Sequence, residues 1–238
     1  MWNAVGVRTE RPPGAGRLWI AAGLIVAIGA TLLLGGDARA AGVTIGVALD
    51  SRTVDSSESN FGDLVADAML AAAPGADFAL CPAAEIHPVV IDAGKVDTDK
   101  IASALRAQDD PADTVVTMTL TGAQVKSALA HGLSRLPGPF EGFLQVGGLT
   151  VRYDRSKVGD ARIASVTVTK TGQPLDLHAH YSVAMSHYLA DGAMGYFDIW
   201  TNQAAVSDTH TGLADAVMRY ASANQPISVR VDGRIGGS

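Results

Sequence analysis

Cysteine is almost absent from this chain of 238 residues, which contains Cys81 alone. A single thiol cannot form an intramolecular disulfide, so the small disulfide-stapled scaffolds of secreted proteins are excluded. Cys81 follows the apolar residues Phe78 to Leu80, and an inert, buried thiol is expected in such a run. The chain must therefore be held together by a hydrophobic core, for which its length is sufficient.

Basic residues are also scarce. The chain has 18 Lys and Arg against 24 Asp and Glu, which gives a net charge of −6 at pH 7. Binding along a nucleic-acid backbone requires clustered Lys and Arg, so the composition argues against nucleic acid as a partner. The acidic balance favours solubility and indicates little else.

Common catalytic motifs are missing as well. The sequence has no His-Glu-x-x-His metal motif, no Gly-x-Ser-x-Gly nucleophile motif and no glycine-rich phosphate loop. His178 and His180 are two residues apart, which is only a weak metal signal without a third ligand at motif distance. On spacing alone, the sequence predicts no catalytic group, no metal site and no cofactor.

Acidic residues gather around the first predicted helix. Asp63 and Asp67 are four residues apart on this helix, and Glu58 precedes them. Side chains at this spacing can share one helical face. We expect that face to be solvated rather than to form a site.

A long uncharged run lies near the N-terminus, between Leu18 and Gly36. Arginines precede it, and Asp37-Ala38-Arg39-Ala40-Ala41 follows it, which is the order of a secretory signal peptide. We predict that residues 1–40 are removed after Ala40 and that the protein is exported, to the periplasm or out of the cell. The alternative is an uncleaved leader that contacts the membrane, because the uncharged stretch up to Leu34 is near the lower limit for spanning a bilayer.

Residues 41–238 are predicted to form one domain in which strands and helices do not alternate strictly. Apolar residues recur at helical spacing over residues 61–73, 123–133 and 211–223, and a short helix is predicted over residues 97–105. Strand patterns occupy residues 43–49, 76–81, 114–120, 149–154, 162–169, 181–185 and 227–235. This order favours an α+β fold, a layered sandwich with a mixed sheet, over a doubly wound parallel sheet.

The segment from Gly142 to Asp154 combines an aromatic residue, a glycine pair and an alternating strand. Gly147 and Gly148 have no side chains, so a tight bend or the close approach of a neighbour or ligand is expected there. Phe143 stands just before this pair. It is either a core anchor or a platform for a flat ligand.

Three stretches, taken together, resemble the C-terminal domain of 5′-nucleotidases. They are Glu58-Ser59-Asn60-Phe61-Gly62-Asp63-Leu64-Val65-Ala66-Asp67-Ala68-Met69, then Gly142-Phe143-Leu144-Gln145-Val146-Gly147-Gly148-Leu149, and finally Tyr181-Ser182-Val183-Ala184 with Gly192-Ala193-Met194-Gly195-Tyr196. Val231-Asp232-Gly233-Arg234-Ile235 resembles the closing strand of the family. The resemblance runs from about Val47 to Ile235 and implies the fold of that domain, here as a stand-alone copy.

The resemblance also implies a role in nucleoside recognition. In the family this domain holds the base between two aromatic rings, whereas a separate metallophosphoesterase domain with two metal ions performs the hydrolysis. By position, Phe143 and Tyr196 would be these rings, and His87 would face the phosphate side of the substrate. Stacking is worth about 1–3 kcal/mol for each stacked face of a base.

The sequence departs from the family pattern in its loops. His87 stands where the family has an arginine, and Glu85 adds a negative charge to the same loop. Gln108-Asp109-Asp110-Pro111 replaces a Pro-Phe-Gly-Asn turn, and Met194 replaces an acidic residue. The Gly-Asn-His-Asp/Glu metal signature of the family does not occur in the sequence.

These features imply an exported nucleoside- or nucleotide-binding module that is linked to nucleotide catabolism. Hydrolysis by this chain alone is not expected, because activating water and neutralising phosphoryl oxygens require the metal ions of the other domain. A separate metallophosphoesterase is the implied protein partner. The alternative is a structural or protein-interaction domain with a degenerate nucleotide site.

Overall fold

The computed structural model describes residues 42–106, 113–200 and 205–238. The predicted signal peptide and the segment from Gln108 to Pro111 lie outside the described residues. Within the described ranges, no helix has the length and apolar character needed to cross a membrane.

The described residues contain thirteen β-strands and five α-helices. The strands are β1 (Val43–Ile45), β2 (Leu49–Asp50), β3 (Phe78–Pro82), β4 (Val90–Ile91), β5 (Gly94–Val96), β6 (Thr114–Thr121), β7 (Leu144–Gly147), β8 (Leu149–Tyr153), β9 (Ile163–Val168), β10 (Gln173–Pro174), β11 (His180–Ser186), β12 (Val206–Gly212) and β13 (Ile235–Gly237). The helices are α1 (Asn60–Ala72), α2 (Thr98–Ala102), α3 (Gly122–Gly132), α4 (His187–Ala190) and α5 (Leu213–Ala223).

The central sheet has five strands in the order β12-β6-β11-β3-β7. β11 and β3 are parallel, whereas the other neighbouring pairs are antiparallel. A second sheet has the order β10-β9-β8-β13, in which β13 runs parallel to β8. The predicted α+β fold with mixed sheets is confirmed.

Helix α1 is held in place by its first turn. The Ser59 side chain caps the helix, since its Oγ accepts a hydrogen bond from the backbone N–H of Gly62 at 3.0 Å. The buried amide of Gln145 accepts from the N–H of Ser59 at 3.1 Å. Its Nε2 donates to the carbonyls of Val54 and Ser57 at 2.9 and 2.8 Å. Gln145 therefore ties β7 to the loop that precedes α1.

The glycine pair at the end of β7 lets this strand approach the same helix. A Cβ at Gly147 would lie 2.8 Å from the carbonyl oxygen of Ala66, which is closer than a side chain tolerates. Gly148 has a φ of 77°, in the left-handed region that favours glycine. The expected close approach is confirmed, and the neighbour is the backbone of α1.

The prediction of one strand over residues 43–49 is wrong in its extent. The segment divides into β1 and β2, because the N–H groups of Gly46 and Val47 both donate to the carbonyl of Ile227. These bonds turn the chain away from the β1–β5 ladder. β2 then pairs with β4 instead.

The predicted strand over residues 227–235 is also wrong. Ile227 forms only an isolated bridge with Ile45, and β13 begins at the last residue of the predicted range. The Glu58 carboxylate accepts hydrogen bonds from the N–H groups of Asp232 and Gly233. A side chain thus replaces the neighbouring strand that the alternating pattern implied.

Candidate functional site

The loops that carry the predicted site residues lie at one end of the strands of the central sheet. Since β3 and β11 are parallel neighbours, their carboxyl ends lie on the same side. A short 3₁₀ turn, Ala83–Glu85, follows β3 and leads to His87. Helix α4 follows β11 and leads to the irregular segment Ala193–Asp198, which carries Tyr196.

Tyr196 is buried, with a relative exposure of 0%. Its hydroxyl donates a hydrogen bond to the carbonyl oxygen of Gly142 at 2.6 Å. One ring face stacks on Trp200, with 5.0 Å between ring centroids and 14° between planes. His131 meets the ring edge-on at 4.7 Å. Burial holds the pKa of Tyr196 well above its ordinary value, so this phenol is a hydrogen-bond donor and not a base.

Left-handed backbone positions shape the loop that holds Tyr196. Gly192 and Gly195 have φ values of 85° and 86°, and Met194 between them has a φ of 57°. Glycine adopts this conformation without a steric penalty, which explains two of the three positions. The ring Nε2 of His131 lies 2.9 Å from the carbonyl oxygen of Met194, so it must carry the proton of that hydrogen bond.

Phe143 lies in the hydrophobic core, with 1% relative exposure. Its carbonyl accepts a hydrogen bond from the N–H of Ala83 at 2.8 Å, and its own N–H donates to Phe140. The structure brings the Phe143 segment to Tyr196 through the carbonyl of Gly142, but the stacked partner of Tyr196 is Trp200. Ligand binding by Phe143 and Tyr196 stays a prediction.

His87 is half-buried, and its backbone holds the loop after β3. Its N–H donates to the carbonyl of Ala104 at 2.8 Å, and its carbonyl accepts from the hydroxyl of Ser51 at 2.7 Å. Its role on the phosphate side of a ligand also stays a prediction.

Glu85 has a function in the structure that the sequence did not indicate. It is only 4% exposed and accepts a hydrogen bond from the Ser186 hydroxyl at 2.6 Å. Burial, and secondly the charge of Asp113, raise the pKa of Glu85 to about 8. The side chain therefore holds its proton to a higher pH than an exposed glutamate does, although the sequence suggested a negative charge in this loop.

The expected solvated acidic face of α1 is not formed. Asp63 is 0% exposed, and Asp67 accepts two hydrogen bonds from Arg234, at 2.6 and 2.9 Å. The two acids do share one face of α1, as their spacing predicts. This face is covered by Asp232 and Arg234, which belong to residues 227–237, here called the closing segment. His178 and His180 belong to no group of three metal-ligating side chains in the described part of the chain.

The topology and loops described above define a type of domain that is found in nucleotide phosphoesterases. The solved 5′-nucleotidase precursor of Thermus thermophilus matches with a TM-score of 0.74 and 30% sequence identity, over 82% of this chain and 39% of that chain. The trifunctional nucleotide phosphoesterase protein YfkN of Bacillus subtilis is 27% identical over 200 residues, which are 79% of this chain and 13% of the relative. The 5′-nucleotidase of Rattus norvegicus is 30% identical over 122 residues, which are 49% of this chain and 21% of the relative.

The family model described as 5′-nucleotidase, C-terminal domain, matches residues 38–202. The chain belongs to this family, and the resemblance inferred from its sequence is confirmed. It spans less than half of the length of each relative named here.

Proposed function

We propose that this chain is a nucleoside- or nucleotide-binding module of the 5′-nucleotidase family that is linked to nucleotide catabolism. The base would stack on Tyr196, with His87 on the phosphate side. Phe143 would support the site from the core through its neighbour Gly142. The metal-dependent hydrolytic step would belong to a separate metallophosphoesterase partner rather than to these residues.

The stack between Tyr196 and Trp200 is the observation that carries this proposal. Its separation of 5.0 Å and its angle of 14° correspond to offset aromatic stacking. Indole is a flat bicyclic ring, as is a purine. Trp200 therefore occupies the position that a base stacked on Tyr196 would take.

An unsatisfied polar atom lowers the cost of moving Trp200 out of this position. Its Nε1 is buried and has no hydrogen-bond partner among the described residues. An unsatisfied buried donor costs about 1–3 kcal/mol, and a base that replaced the indole would regain stacking of about 1–3 kcal/mol per face. These gains are offset by the stacking and burial that the displaced indole loses, so we expect weak binding, with a Kd of about 1 mM.

A titration of four chains tests the proposal. Adenosine, AMP and uridine nucleotides are added to the wild type and to the Trp200→Leu, Tyr196→Leu and Phe197→Leu variants, and binding is followed by NMR. Trp200→Leu should bind adenosine about tenfold more tightly, which corresponds to about 1.4 kcal/mol less competition for the ring. Tyr196→Leu should lose binding.

Phe197 is the matched control, because it lies on the same segment but is 54% exposed. Its substitution should leave binding unchanged. The proposal fails when neither the wild type nor a folded Trp200→Leu variant binds any of the ligands at millimolar concentration.

A second candidate function is a structural or protein-interaction domain. The burial of both Tyr196 and Phe143 favours it, as does the exposure of Tyr188 and Phe197, at 44% and 54%. Exposed aromatic residues are typical of protein interfaces. A Trp200→Leu variant that folds without binding a nucleoside would favour this candidate, as would loss of partner binding in a Tyr188→Ser, Phe197→Ser double variant.

The absence of hydrolysis by the isolated chain is tested by phosphate release from AMP in the presence of Mn²⁺, Co²⁺ or Zn²⁺. We expect no release above the rate of a Tyr196→Leu preparation purified in parallel. Activity that remains constant per mole through successive purification steps and falls in this variant would contradict the proposal.

Export is proposed from the leader and is independent of the ligand. Mass spectrometry of the protein recovered outside the cytoplasm should find Ala41 at its N-terminus. An intact leader on a membrane-associated protein would indicate an anchor instead.

A further inference from the structure

A second group of polar side chains lies where the start of α1 meets the closing segment. We call Glu58, Asp63 and Asp232 the Glu58 cluster. One carboxylate oxygen from each residue lies within 4.8 Å of the others. None of these residues is among those proposed above to bind a nucleoside, which are Tyr196, His87 and Phe143.

Asp63 is the least satisfied member of the Glu58 cluster. The residue is 0% exposed, and neither carboxylate oxygen has a hydrogen-bond partner among the described residues. Arg234 Nε is 3.6 Å from its Oδ1, which is too far for a hydrogen bond. A buried carboxylate without hydrogen bonds is costly unless another charge compensates it.

Arg234 cannot balance every carboxylate of this region, because several of them share its single charge. Its Nη1 and Nη2 bind both oxygens of Asp67 at 2.6 and 2.9 Å. Its Nε donates to Asp232 at 3.2 Å. One guanidinium is thus shared by three acidic side chains, Asp63, Asp67 and Asp232, and it cannot balance all of them when they are ionised.

We infer that Glu58, Asp63 and Asp232 form a binding site for a divalent cation, specifically Ca²⁺. All the ligand atoms are carboxylate oxygens, which hard cations prefer. Calcium binds oxygen at about 2.3–2.6 Å, so two ligands of one ion can be about 4.8 Å apart. Magnesium binds at about 2.0–2.1 Å and needs a tighter arrangement, which makes it the weaker candidate.

The lone pairs of the cluster permit this coordination. Glu58 accepts three hydrogen bonds, from the N–H groups of residues 232, 233 and 235, and a carboxylate has about four acceptor positions. One position therefore remains on Glu58, and both oxygens of Asp63 are available. Water would complete the shell on the side of Asp232, whose side chain is 60% exposed.

Such an ion would connect distant parts of the chain. Glu58 and Asp232 are 174 residues apart. Glu58 lies just before α1, and Asp232 lies in the closing segment. A ligand that binds only the folded state stabilises it by mass action. The cation would therefore stabilise the packing of the closing segment on α1.

Calorimetric titration of the chelator-treated protein with CaCl₂, and separately with MgCl₂, tests the site. We expect one Ca²⁺ per chain, weaker binding of Mg²⁺ and a higher midpoint of thermal unfolding with Ca²⁺. Asp232→Asn should weaken Ca²⁺ binding at least about tenfold, since even indirect partners of metal ligands contribute about 10–100-fold. Asp63→Asn should abolish it.

Asp232→Asn is the decisive variant, because the exposed side chain can be changed without disturbing the core. Asp92→Asn removes an exposed carboxylate outside the cluster and should bind Ca²⁺ as the wild type does. The inference is overturned when Ca²⁺ up to about 10 mM, beyond the range of weak extracellular sites, gives no heat and no change in midpoint. Equal affinities of the wild type and Asp232→Asn, or tighter binding of Mg²⁺ than of Ca²⁺, would also overturn it.

Discussion

Two buried carboxyl groups, Glu85 and Asp63, are in different regions and have different surroundings. Burial is the main cause that raises the pKa of each to about 8. Glu85 accepts a short hydrogen bond from Ser186 and faces Asp113. Asp63 has no hydrogen-bond partner among the described residues and has Arg234 only at 3.6 Å. Desolvation thus raises the pKa of both groups to a similar value. The two groups differ in their neighbours, because Glu85 has a hydrogen-bond donor in Ser186 and Asp63 has none among the described residues.

The largest effect is expected when the guanidinium of Arg234, which lies near Asp63, is removed. Arg234→Met leaves the buried carboxylate of Asp63 and the half-buried carboxylate of Asp67 without their guanidinium. Breaking a buried ion pair by removing one partner costs about 3–5 kcal/mol, and we expect this loss in the free energy of unfolding measured with urea. Arg52→Met is the control, because its pair with Asp50 is 67% and 42% exposed and should contribute less than about 1 kcal/mol.

A loss in Arg234→Met no larger than that in Arg52→Met would mean that Asp63 and Asp67 do not depend on Arg234. Asp63 would then be accommodated in the core by protonation, as its raised pKa allows.

A smaller effect is expected at the hydrogen bond that distinguishes Glu85. Ser186→Ala leaves a buried carboxyl oxygen without its donor, which costs about 1–3 kcal/mol. Ser156 makes a hydrogen bond of the same length, 2.6 Å, to the exposed carboxylate of Asp154. Ser156→Ala should therefore cost much less in the same urea measurement, and equal losses would contradict a role for burial.

The last effect is a slope with pH rather than a fixed loss. The pKa of Glu85 is raised above its ordinary value of 4.5, so its contribution to stability is complete below pH 4.5 and is lost as the pH rises through about 8. The groups that act on it are Asp113 and Arg106, with Ser186 as hydrogen-bond donor. Burial, and secondly the charge of Glu85, raise the pKa of the Cys81 thiol. Glu85→Gln keeps the neutral form and removes the titration.

The free energy of unfolding of the wild type relative to Glu85→Gln should therefore fall between pH 5 and pH 8. The slope is at most about 1.4 kcal/mol per pH unit, the value for one proton. Asp92→Asn, which removes an exposed carboxylate, should run parallel to the wild type. Parallel curves for Glu85→Gln as well would mean that Glu85 is ionised throughout this range.

Sequence patterns were sufficient where the contacts are local. The helical spacing over residues 61–73 and the alternation after Gly148 gave α1 and β8 nearly to the residue. The motifs around Gly147 and Tyr196 gave the family, which the family model over residues 38–202 confirms. In these segments the residues that set the structure are neighbours in the chain.

The remaining features depend on partners that are distant in sequence. Asp63 and Asp67 looked like a solvated face, because their ion-pair partner, Arg234, follows Asp67 by 167 residues. The closing segment looked like a strand, because nothing local shows that Glu58 accepts its N–H groups. The stack of Trp200 on Tyr196 lies in irregular backbone, where neither helical nor strand periodicity applies.

The attachment of the closing segment to Glu58 also bears on where this domain stops. The family model ends at residue 202, yet the residues beyond it supply β12 at the edge of the central sheet, the helix α5 and the Arg234 pair. A chain shortened to the matched range would expose the edge of β6 and leave the carboxylates of α1 without their cation. The folding unit therefore extends at least as far as Gly237, the last residue of β13 that pairs with β8. Glu58, near the beginning of the unit, holds this end in place through its hydrogen bonds to Asp232, Gly233 and Ile235.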